Sequence, residues 1–380
     1  MTLALTNARI VLPEGVVDSV ALRVDGDRIV EVADRPALGD TALDLGGRWL
    51  VPGFVDTHVH GGGGESFQSG EAEAVRRAVA HHRLRGSTTV VASLVSRPVG
   101  EMVESVARLR ELVTDGVVAG VHLEGPFLSE GRCGAHDPAL LRDPDPELVR
   151  QLLDAGRGAV RMVTIAPERA GGIAAVRAVI AAGAVAAVGH TDATYAVTRE
   201  AIGAGATVAT HLFNGMAPLH HREPGPVLAL LDDERVTVEL IHDHEHLNPA
   251  VVRHVFAVAG GRTSLVSDAI SAAGLSDGDY LLGGLGVVVR DGAARLAEGG
   301  VLAGSTVDVH RAFVNAVRDG IAIADAVASA ASTPARALGL DHVGCLTPGF
   351  AADVLVLDDD LEIVAVMKDG GWLGDAPQRF

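Results

Sequence analysis

Residues 51–60 read VPGFVDTHVH and are followed by four glycines, Gly61–Gly64. A proline and a glycine near the start mark a turn, and the apolar residues after them predict a buried strand. Because side chains alternate along a strand, His58 and His60 project from the same face. Two neutral imidazoles beside a carboxylate are good ligands for a divalent metal ion. We therefore expect a strand that ends in a metal site, with a pair of surface histidines as the alternative.

Apolar, strand-like runs recur through the middle of the chain and alternate with stretches of helical periodicity. The runs lie at residues 53–58, 87–94, 117–123, 159–165, 184–189, 206–210, 236–242 and 263–267. The helical stretches include residues 71–84, 101–113, 147–153, 170–182 and 249–258. Eight strands that alternate with helices predict an α/β fold, a parallel (β/α)8 barrel of the TIM type. A doubly wound open sheet is the alternative, but it gives no reason for a count of eight.

Short strands separated by turn signals occur at both ends of the chain, in residues 1 to about 50 and again after residue 343. We expect the two termini to form one small β-sandwich domain. The predicted divisions are therefore 1–50 and 343–380 for the small domain and 51–342 for the barrel. Residues 271–304 predict a hairpin-like excursion after the eighth strand, and the last helices are expected between residues 305 and 338.

The composition limits the classes of protein to which this chain can belong. Its 380 residues are 48% hydrophobic and 3% aromatic, and the formal net charge is -18. That charge argues against nucleic acid or an anionic membrane as a partner, and an anionic substrate needs a local basic pocket. Two cysteines, Cys133 and Cys345, do not make a disulfide framework. With neither a signal-peptide pattern nor an apolar run of ~20 residues, we expect a cytoplasmic protein without a membrane span.

Residues suited to metal binding follow the predicted strands, at the end of a barrel where active sites lie. They are His58 and His60 after strand 1, Glu124 at strand 3, His190 after strand 5, His211 at strand 6 and Asp268 at strand 8. An unpaired carboxylate at the end of an apolar strand is costly, so Glu124 predicts a metal or a basic partner. Ordinary core histidines are the alternative for His190 and His211. His122 is expected to pack rather than to bind a metal.

Several motifs are similar to those of known enzymes. The stretch VPGFVDTHVH, the glutamate motif at 124, GHTDA at 189–193 and SDA at 267–269 together resemble the amidohydrolase superfamily. Longer motifs resemble, within it, the N-acetylglucosamine-6-phosphate deacetylase family. These are HLEGPF at 122–127, GAH at 134–136, HLFNGM at 211–216, REPG at 222–225 and LAGS at 302–305. The resemblance extends over nearly the whole chain.

The resemblance implies a metal-dependent hydrolase that converts N-acetyl-D-glucosamine 6-phosphate into D-glucosamine 6-phosphate and acetate, in amino-sugar catabolism and cell-wall recycling. Glu124, His190 and His211 match the principal metal ligands, and His58 and His60 imply a second ion bridged by Glu124. The implied cofactor is one or two divalent ions per chain, with zinc first and iron, cobalt or manganese as alternatives. The single lysine, Lys368, lies in the C-terminal β-segment, so a carbamylated lysine cannot bridge the metals.

The resemblance also implies the catalytic and substrate-binding residues. Asp268 matches the catalytic aspartate and also lies among the metal ligands, and His136 is expected to stabilise the oxyanion. The implied contacts to the sugar phosphate come from Ala135, His136, Asn214, Gly215, Arg222, His246, Leu302, Ala303 and Gly304. Arg222 is expected to reach the active site of the neighbouring subunit in a homodimer. One departure is His244, which stands where the family usually has glycine in Asp-Gly-x-His.

Two other functions stay open at this stage. Another amidohydrolase, such as a D-aminoacylase or an adenine deaminase, would share the metal ligands but would give Arg222 and His246 no phosphate to bind. A binding protein that inherited the barrel without activity would have lost ligands, whereas every expected position is occupied.

Overall fold

Strands from both ends of the chain form one mixed sheet. The computed structural model describes residues 2–374, so the last six residues of the predicted C-terminal segment, 375–380, lie outside the described part. The strands of this eight-stranded sheet are Leu3–Leu12, Gly15–Asp25, Arg28–Ala33, Thr41–Asp44, Trp49–Pro52, Val354–Leu357, Ile363–Lys368 and Gly371–Trp372. Trp49–Pro52 pairs antiparallel with Val354–Leu357, which joins the two termini. The predicted association of the termini is confirmed.

This terminal sheet curls over a hydrophobic core of its own. The amide of Ile29 donates to the carbonyl of Phe350 at 2.9 Å, and the amide of Gly349 donates to the carbonyl of Ile29 at 2.8 Å. These bonds tie one edge of the sheet to the segment that leads into the strand Val354–Leu357. The enclosed core includes Leu5, Ile10, Leu22, Leu50 and Val356. Trp49–Pro52 belongs to this sheet, so the barrel itself begins with the next strand, Phe54–Val59.

Eight parallel strands form the barrel, and each pairs with the next in chain order. Barrel strands 1 to 8 are Phe54–Val59, Ser87–Val95, Gly120–Glu124, Val160–Ile165, Val185–Val188, Val208–Ala209, Thr237–Ile241 and Thr263–Val266. The last strand returns to the first, because the amide of Asp268 donates to the carbonyl of His58 at 2.8 Å. Beside this bond the Asp56 carboxylate accepts hydrogen bonds from the hydroxyl of Ser267 at 2.5 Å and from its amide at 3.3 Å. The barrel prediction is confirmed, and the open-sheet alternative is wrong.

Helices surround the barrel and bury apolar faces against its strands. They span Ala72–Leu84, Val99–Thr114, Pro146–Gly156, Gly172–Ala181, Tyr195–Ala204, Gly225–Leu231, Pro249–Ala259, Val309–Arg318, Ile323–Ala330 and Ser332–Ala337. Short 3-10 helices lie at Glu130–Arg132, Pro138–Leu140 and Gly260–Arg262. Within residues 2–374, no helix combines the length and apolar character required to cross a membrane.

Barrel strand 6 is shorter than the sequence predicts. The apolar run covers residues 206–210, but the strand comprises Val208–Ala209 alone. His211 adopts a positive φ of 27°, which turns the chain away from the ladder directly after the strand. The turn directs the His211 side chain towards the centre of the barrel mouth, where it contacts Glu124.

The excursion after barrel strand 8 covers part of the barrel mouth. Where the sequence predicts a hairpin, the structure has three antiparallel strands, Gly278–Leu282, Leu285–Arg290 and Ala293–Leu296. Leu282 and Arg295 from these strands, with Leu302 after them, line the cavity at the carboxyl ends of the barrel strands. A shorter ladder, Gly61–Gly62 with Glu65–Ser66, follows barrel strand 1.

Candidate active site

The Glu124 carboxylate lies at the centre of the barrel mouth. One oxygen, Oε1, is 2.9 Å from Nε2 of His211 and 3.1 Å from Nε2 of His190. The other oxygen, Oε2, is 3.1 Å from Nε2 of His60. Nε2 of His58 lies 3.4 Å from Oε1. A single carboxylate at the end of strand 3 therefore faces imidazoles at or just beyond the ends of strands 1, 5 and 6.

These side chains form two groups that share Glu124. His58, His60, Glu124 and Asp268 form the first, and Glu124, His190 and His211 form the second. Nε2 of His190 and Nε2 of His211 are 3.1 Å apart. In a tetrahedral zinc site with bonds of about 2.0–2.1 Å, neighbouring ligand atoms lie about 3.3 Å apart. The donor set and its spacing therefore fit divalent ions, and the structure brings together all six residues predicted to bind metal.

A buried carboxylate that the sequence analysis missed supports His58. Oε2 of Glu239 lies 3.2 Å from Nδ1 of His58, and Oε1 accepts a hydrogen bond from the hydroxyl of Thr57 at 3.2 Å. A carboxylate on Nδ1 fixes the tautomer that leaves Nε2 free for a metal. The available signal was a lone charge within the apolar run of strand 7, but its partner is 181 residues away in the chain.

Three residues of this site adopt a backbone conformation that L-amino acids rarely take. The φ angles are 47° at His190, 27° at His211 and 49° at Asp268. Such residues cost about 1–3 kcal/mol each and persist where the surroundings hold them. The surroundings of Asp268 do so, because its carbonyl accepts from the amide of Ser305 at 2.7 Å. These left-handed conformations turn the backbone away from the strand direction, and the three side chains point to the mouth of the barrel.

The ionisation of the metal-free site follows from burial and charge. Burial favours the neutral form of Glu124, but the charge of His58 and hydrogen bonds from neighbouring imidazoles hold its pKa well below the usual range. Burial likewise opposes the ionisation of Asp268, and the charge of His58 and the hydrogen bond from His60 lower its pKa. For His60, hydrogen bonds to Asp268 and Glu124 outweigh burial and raise the pKa to about 9. Both carboxylates are therefore ionised at neutral pH.

His136 is held neutral, with a defined tautomer. Burial lowers the pKa of His136 to about 4, against the opposing effect of Glu124. The amide of Ser96 donates to Nδ1 of His136 at 3.3 Å, and the Ser96 hydroxyl lies 3.0 Å from the same nitrogen. Because Nδ1 accepts, the proton of the neutral ring sits on Nε2, which lies 3.5 Å from Oε2 of Glu124. His136 therefore presents an N–H donor beside the candidate metal ligands.

The ring of His122 is occupied by other contacts. Nδ1 lies 2.9 Å from the hydroxyl of Ser93, and Nε2 lies 2.8 Å from the hydroxyl of Thr164. Both nitrogens thus have hydrogen-bond partners, which leaves neither for a metal ion.

A cavity of about 340 Å³ opens from the candidate metal ligands to the surface. Most of the predicted substrate-binding residues line it, namely Ala135, His136, Asn214, Gly215, His246, Leu302 and Gly304. Ala303 instead packs in the core of the excursion, and its amide donates to the carbonyl of Ala294 at 3.0 Å. Arg222 is exposed and bonds to Nε2 of His221 at 2.7 Å, outside this cavity. Arg295 lines the cavity and was missed by the sequence analysis.

One wall of the cavity carries a histidine paired with an aspartate. Nδ1 of His246 lies 2.7 Å from Oδ2 of Asp243, whose other oxygen accepts from the amides of Glu245 and His246 at 2.9 and 2.8 Å. Burial opposes protonation of His246, but the hydrogen bond to Asp243 outweighs it and raises the pKa. The wall therefore offers a cation to an anionic ligand.

The sequence of this chain is similar to those of known hydrolases. The model of the amidohydrolase family matches residues 49–373. An N-acetylgalactosamine-6-phosphate deacetylase of Escherichia coli O157:H7 is 35% identical over 376 residues, which cover 97% of this chain and 99% of that protein. An N-acetylglucosamine-6-phosphate deacetylase of Vibrio furnissii is 33% identical over 341 residues, which cover 88% and 85%.

Solved structures are similar over almost the full length. An N-acetyl-D-glucosamine-6-phosphate deacetylase mutant of Mycobacterium smegmatis, in complex with N-acetyl-D-glucosamine 6-phosphate, superposes with a TM-score of 0.94. It is 48% identical, and the match covers 98% of each chain. The N-acetylglucosamine-6-phosphate deacetylase of Thermotoga maritima, at 32% identity, gives a TM-score of 0.88 and covers 98% of this chain and 99% of that one.

Proposed function

The chain belongs to the amidohydrolase family, and we propose that it is a metal-dependent deacetylase of N-acetyl-D-glucosamine 6-phosphate. The reaction breaks the acetamide C–N bond with water and gives D-glucosamine 6-phosphate and acetate. The observation that carries the proposal is the position of Glu124, whose two oxygens face two histidine pairs beside Asp268. The deacetylase relatives support the choice of substrate.

The metal ligands are assigned from the two groups described above. His190, His211 and Glu124 would hold one divalent ion, and His58, His60, Glu124 and Asp268 would hold a second. We propose zinc, because imidazole nitrogens and carboxylate oxygens are its usual ligands in hydrolases. When bound, such an ion acidifies water and polarises the acetamide carbonyl.

Asp268 is assigned the proton transfers, and His136 is assigned the stabilisation of the oxyanion. Asp268 is ionised in the metal-free chain, so it can accept the proton of the attacking water and return it to the departing nitrogen. An amine is a poor leaving group unless it is protonated, which makes the second transfer necessary. His136, neutral and protonated on Nε2, would donate a hydrogen bond to the oxygen that becomes negative when the carbonyl is attacked.

The wall of the cavity that carries His246 and Arg295 is assigned to the phosphate. His246, with its raised pKa, supplies positive charge there, against the formal net charge of -18. Arg295 supplies a second cation, which also pairs with Oε2 of Glu245 at 3.2 Å. Binding energy from a remote group such as the phosphate positions the acetamide for attack. We also propose that a homodimer brings Arg222 of one subunit to the phosphate in the other, since Arg222 is exposed and lies outside the cavity of its own chain. A cytoplasmic location stays a prediction.

Release of acetate from a set of related substrates tests the proposal. Protein loaded with zinc should hydrolyse N-acetyl-D-glucosamine 6-phosphate, lose activity after chelation and regain it with added metal. The unphosphorylated sugar should have a far lower kcat/KM because the contacts of His246 would have no partner. Equal kcat/KM with and without the phosphate, or preference for an N-acetyl-D-amino acid, would refute the assignment. A higher kcat/KM for N-acetyl-D-galactosamine 6-phosphate would change the proposed substrate to that sugar phosphate.

A further inference from the structure

A second group of metal-binding residue types lies outside the active site. His242 directly follows barrel strand 7, and His244 is two residues further along the chain. Asp319 lies at the end of the helix Val309–Arg318, which packs nearby. One ligand atom from each of the three residues lies within 4.8 Å of the others.

The three side chains converge on one point. Nε2 of His242 is 2.9 Å from Oδ2 of Asp319, and Nε2 of His244 is 2.8 Å from the same oxygen. The active site shows the same arrangement, with two imidazole nitrogens 2.9 and 3.1 Å from one oxygen of Glu124. Two imidazoles and a carboxylate are a common ligand set for zinc. The side chain of His244 is 44% exposed, which leaves a coordination position for solvent.

The His242 ring has no hydrogen bond, although it is completely buried. Neither Nδ1 nor Nε2 of this ring has a hydrogen-bond partner, and the contact with Asp319 is close but poorly directed for one. A buried polar group without a partner costs about 1–3 kcal/mol, so such groups in native proteins call for an explanation. A metal ion between His242 and Asp319 would satisfy Nε2.

Two further features of the backbone and the helix favour a cation here. His244 has a φ of 69°, in the left-handed region that glycine occupies without strain, so a side chain at this position carries a conformational cost. The Asp319 carboxylate sits at the carboxyl end of a helix, where the helix dipole disfavours a negative charge. A divalent ion would offset both costs.

We propose that His242, His244 and Asp319 form an additional divalent-metal site, suited to Zn²⁺, that fastens the loop Asp243–His246 to the helix Val309–Arg318. The loop already has one tie to this helix, because the Asn315 side chain donates to the carbonyl of His242 at 2.8 Å. His246 lines the active-site cavity from the same loop, so the site holds a cavity wall in place.

Zinc stoichiometry tests the site directly. Metal-free full-length protein is loaded with excess Zn²⁺, freed of unbound ion and analysed for zinc per chain. His244→Gly removes one ligand at a position whose φ suits glycine, and Asp319→Asn removes another with little change of volume. Each variant should bind one zinc fewer than the unmodified protein. His254→Ala, which removes an exposed histidine on the helix Pro249–Ala259, should lose none. Equal zinc content in the unmodified protein and both variants would overturn the proposal.

Hydrogen exchange tests the fastening role without relying on activity. In the unmodified protein, Zn²⁺ should slow exchange of the Glu245 and His246 amides at least ~10-fold, because the loop must detach before these bonded amides open. His244→Gly keeps the residues proposed to bind zinc in the active site, so any slowing of exchange by that zinc should persist. The slowing due to zinc at the additional site should disappear. Identical slowing in the two proteins would overturn the fastening role.

Discussion

Nε2 of His60 lies 3.1 Å from Oδ1 of Asp268, so one imidazole connects the end of the first barrel strand to the end of the last. The same nitrogen lies 3.1 Å from Oε2 of Glu124. Closure of the barrel therefore completes this group of side chains, because Asp268 reaches His60 only when strands 1 and 8 are adjacent. The base assigned to the reaction stands at this closure point.

Asp268→Asn should lower kcat by at least ~10², the usual scale for a positioned general base, because the amide cannot accept the proton of water. Zinc at His190, His211 and Glu124 should remain, and circular dichroism should be unchanged. Turnover is measured as acetate release from protein of known zinc content. Asp279→Asn, an exposed position, serves as the control. Near-normal turnover of Asp268→Asn with both ions bound would remove Asp268 from the mechanism.

Glu239→Gln should weaken one zinc site about 10- to 100-fold, the usual effect of removing a partner that orients a ligand. The carboxylate fixes the His58 ring through Nδ1, whereas an amide binds that proton less strongly. Competition with a zinc chelator measures the affinity. The double variant His58→Ala/His60→Ala gives the reference, because it should lose one zinc equivalent altogether. An unchanged affinity in Glu239→Gln would show that His58 needs no such partner.

Asp243→Asn should move the pH dependence of KM. The Asp243 hydrogen bond raises the pKa of His246, so the cation persists above the ordinary range of histidine. Without the carboxylate that pKa falls, and the cation that faces the phosphate is lost at a lower pH. KM for the sugar phosphate should therefore begin to rise at lower pH than in the unmodified enzyme, whereas kcat should change less. Superimposable KM profiles between pH 6 and 9 would contradict the assignment.

Ser267→Ala should reduce the free energy of unfolding by about 1–3 kcal/mol, the cost of leaving a buried acceptor short of a hydrogen bond. The hydroxyl donates to the buried Asp56 carboxylate at 2.5 Å, beside the junction of strands 1 and 8. Urea denaturation measures the change. Ser276→Ala, at an exposed position on the excursion, should shift stability by less than about 0.5 kcal/mol. Equal stability of both variants would mean that Asp56 has another adequate donor.

Arg222 offers a test of assembly through complementation. Arg222→Ala chains keep Asp268, and Asp268→Asn chains keep Arg222, so a mixed dimer has one complete site if the arginine acts across the interface. Mixing the two impaired proteins should then raise activity above that of either alone, because a site with Asp268 regains a charge-assisted hydrogen bond of roughly 1.5–3 kcal/mol. If Arg222 serves its own chain, every site keeps a defect and mixing restores nothing.

The sequence predicted the barrel and the candidate metal-binding group at its mouth for the same physical reason. Strands buried on both faces are apolar throughout, so a charged or imidazole side chain at the end of such a run is conspicuous. Glu124, His190 and His211 all occupy such ends, and a parallel barrel necessarily gathers its strand ends at one mouth. Local patterns were therefore enough to locate the group of side chains around Glu124 at the barrel mouth.

Features that depend on long-range partners could not be predicted in the same way. Glu239 reads as an ordinary charge until strand 7 places it beside His58. Arg295 resembles other solvated arginines until the excursion brings it to the cavity, and Ala303 turns away from the cavity because its amide pairs with Ala294. Local periodicity indicates neither the partners of these groups nor the direction in which they point.

The pairing of Trp49–Pro52 with Val354–Leu357 has a consequence for synthesis on the ribosome. The first of these strands emerges early, whereas its partner is translated only after the whole barrel, roughly 15–60 s later at ordinary elongation rates. Until then the nascent chain carries an unpaired strand edge, which is open to association with other chains. A chaperone that covers this edge during translation would protect the protein at its most vulnerable stage.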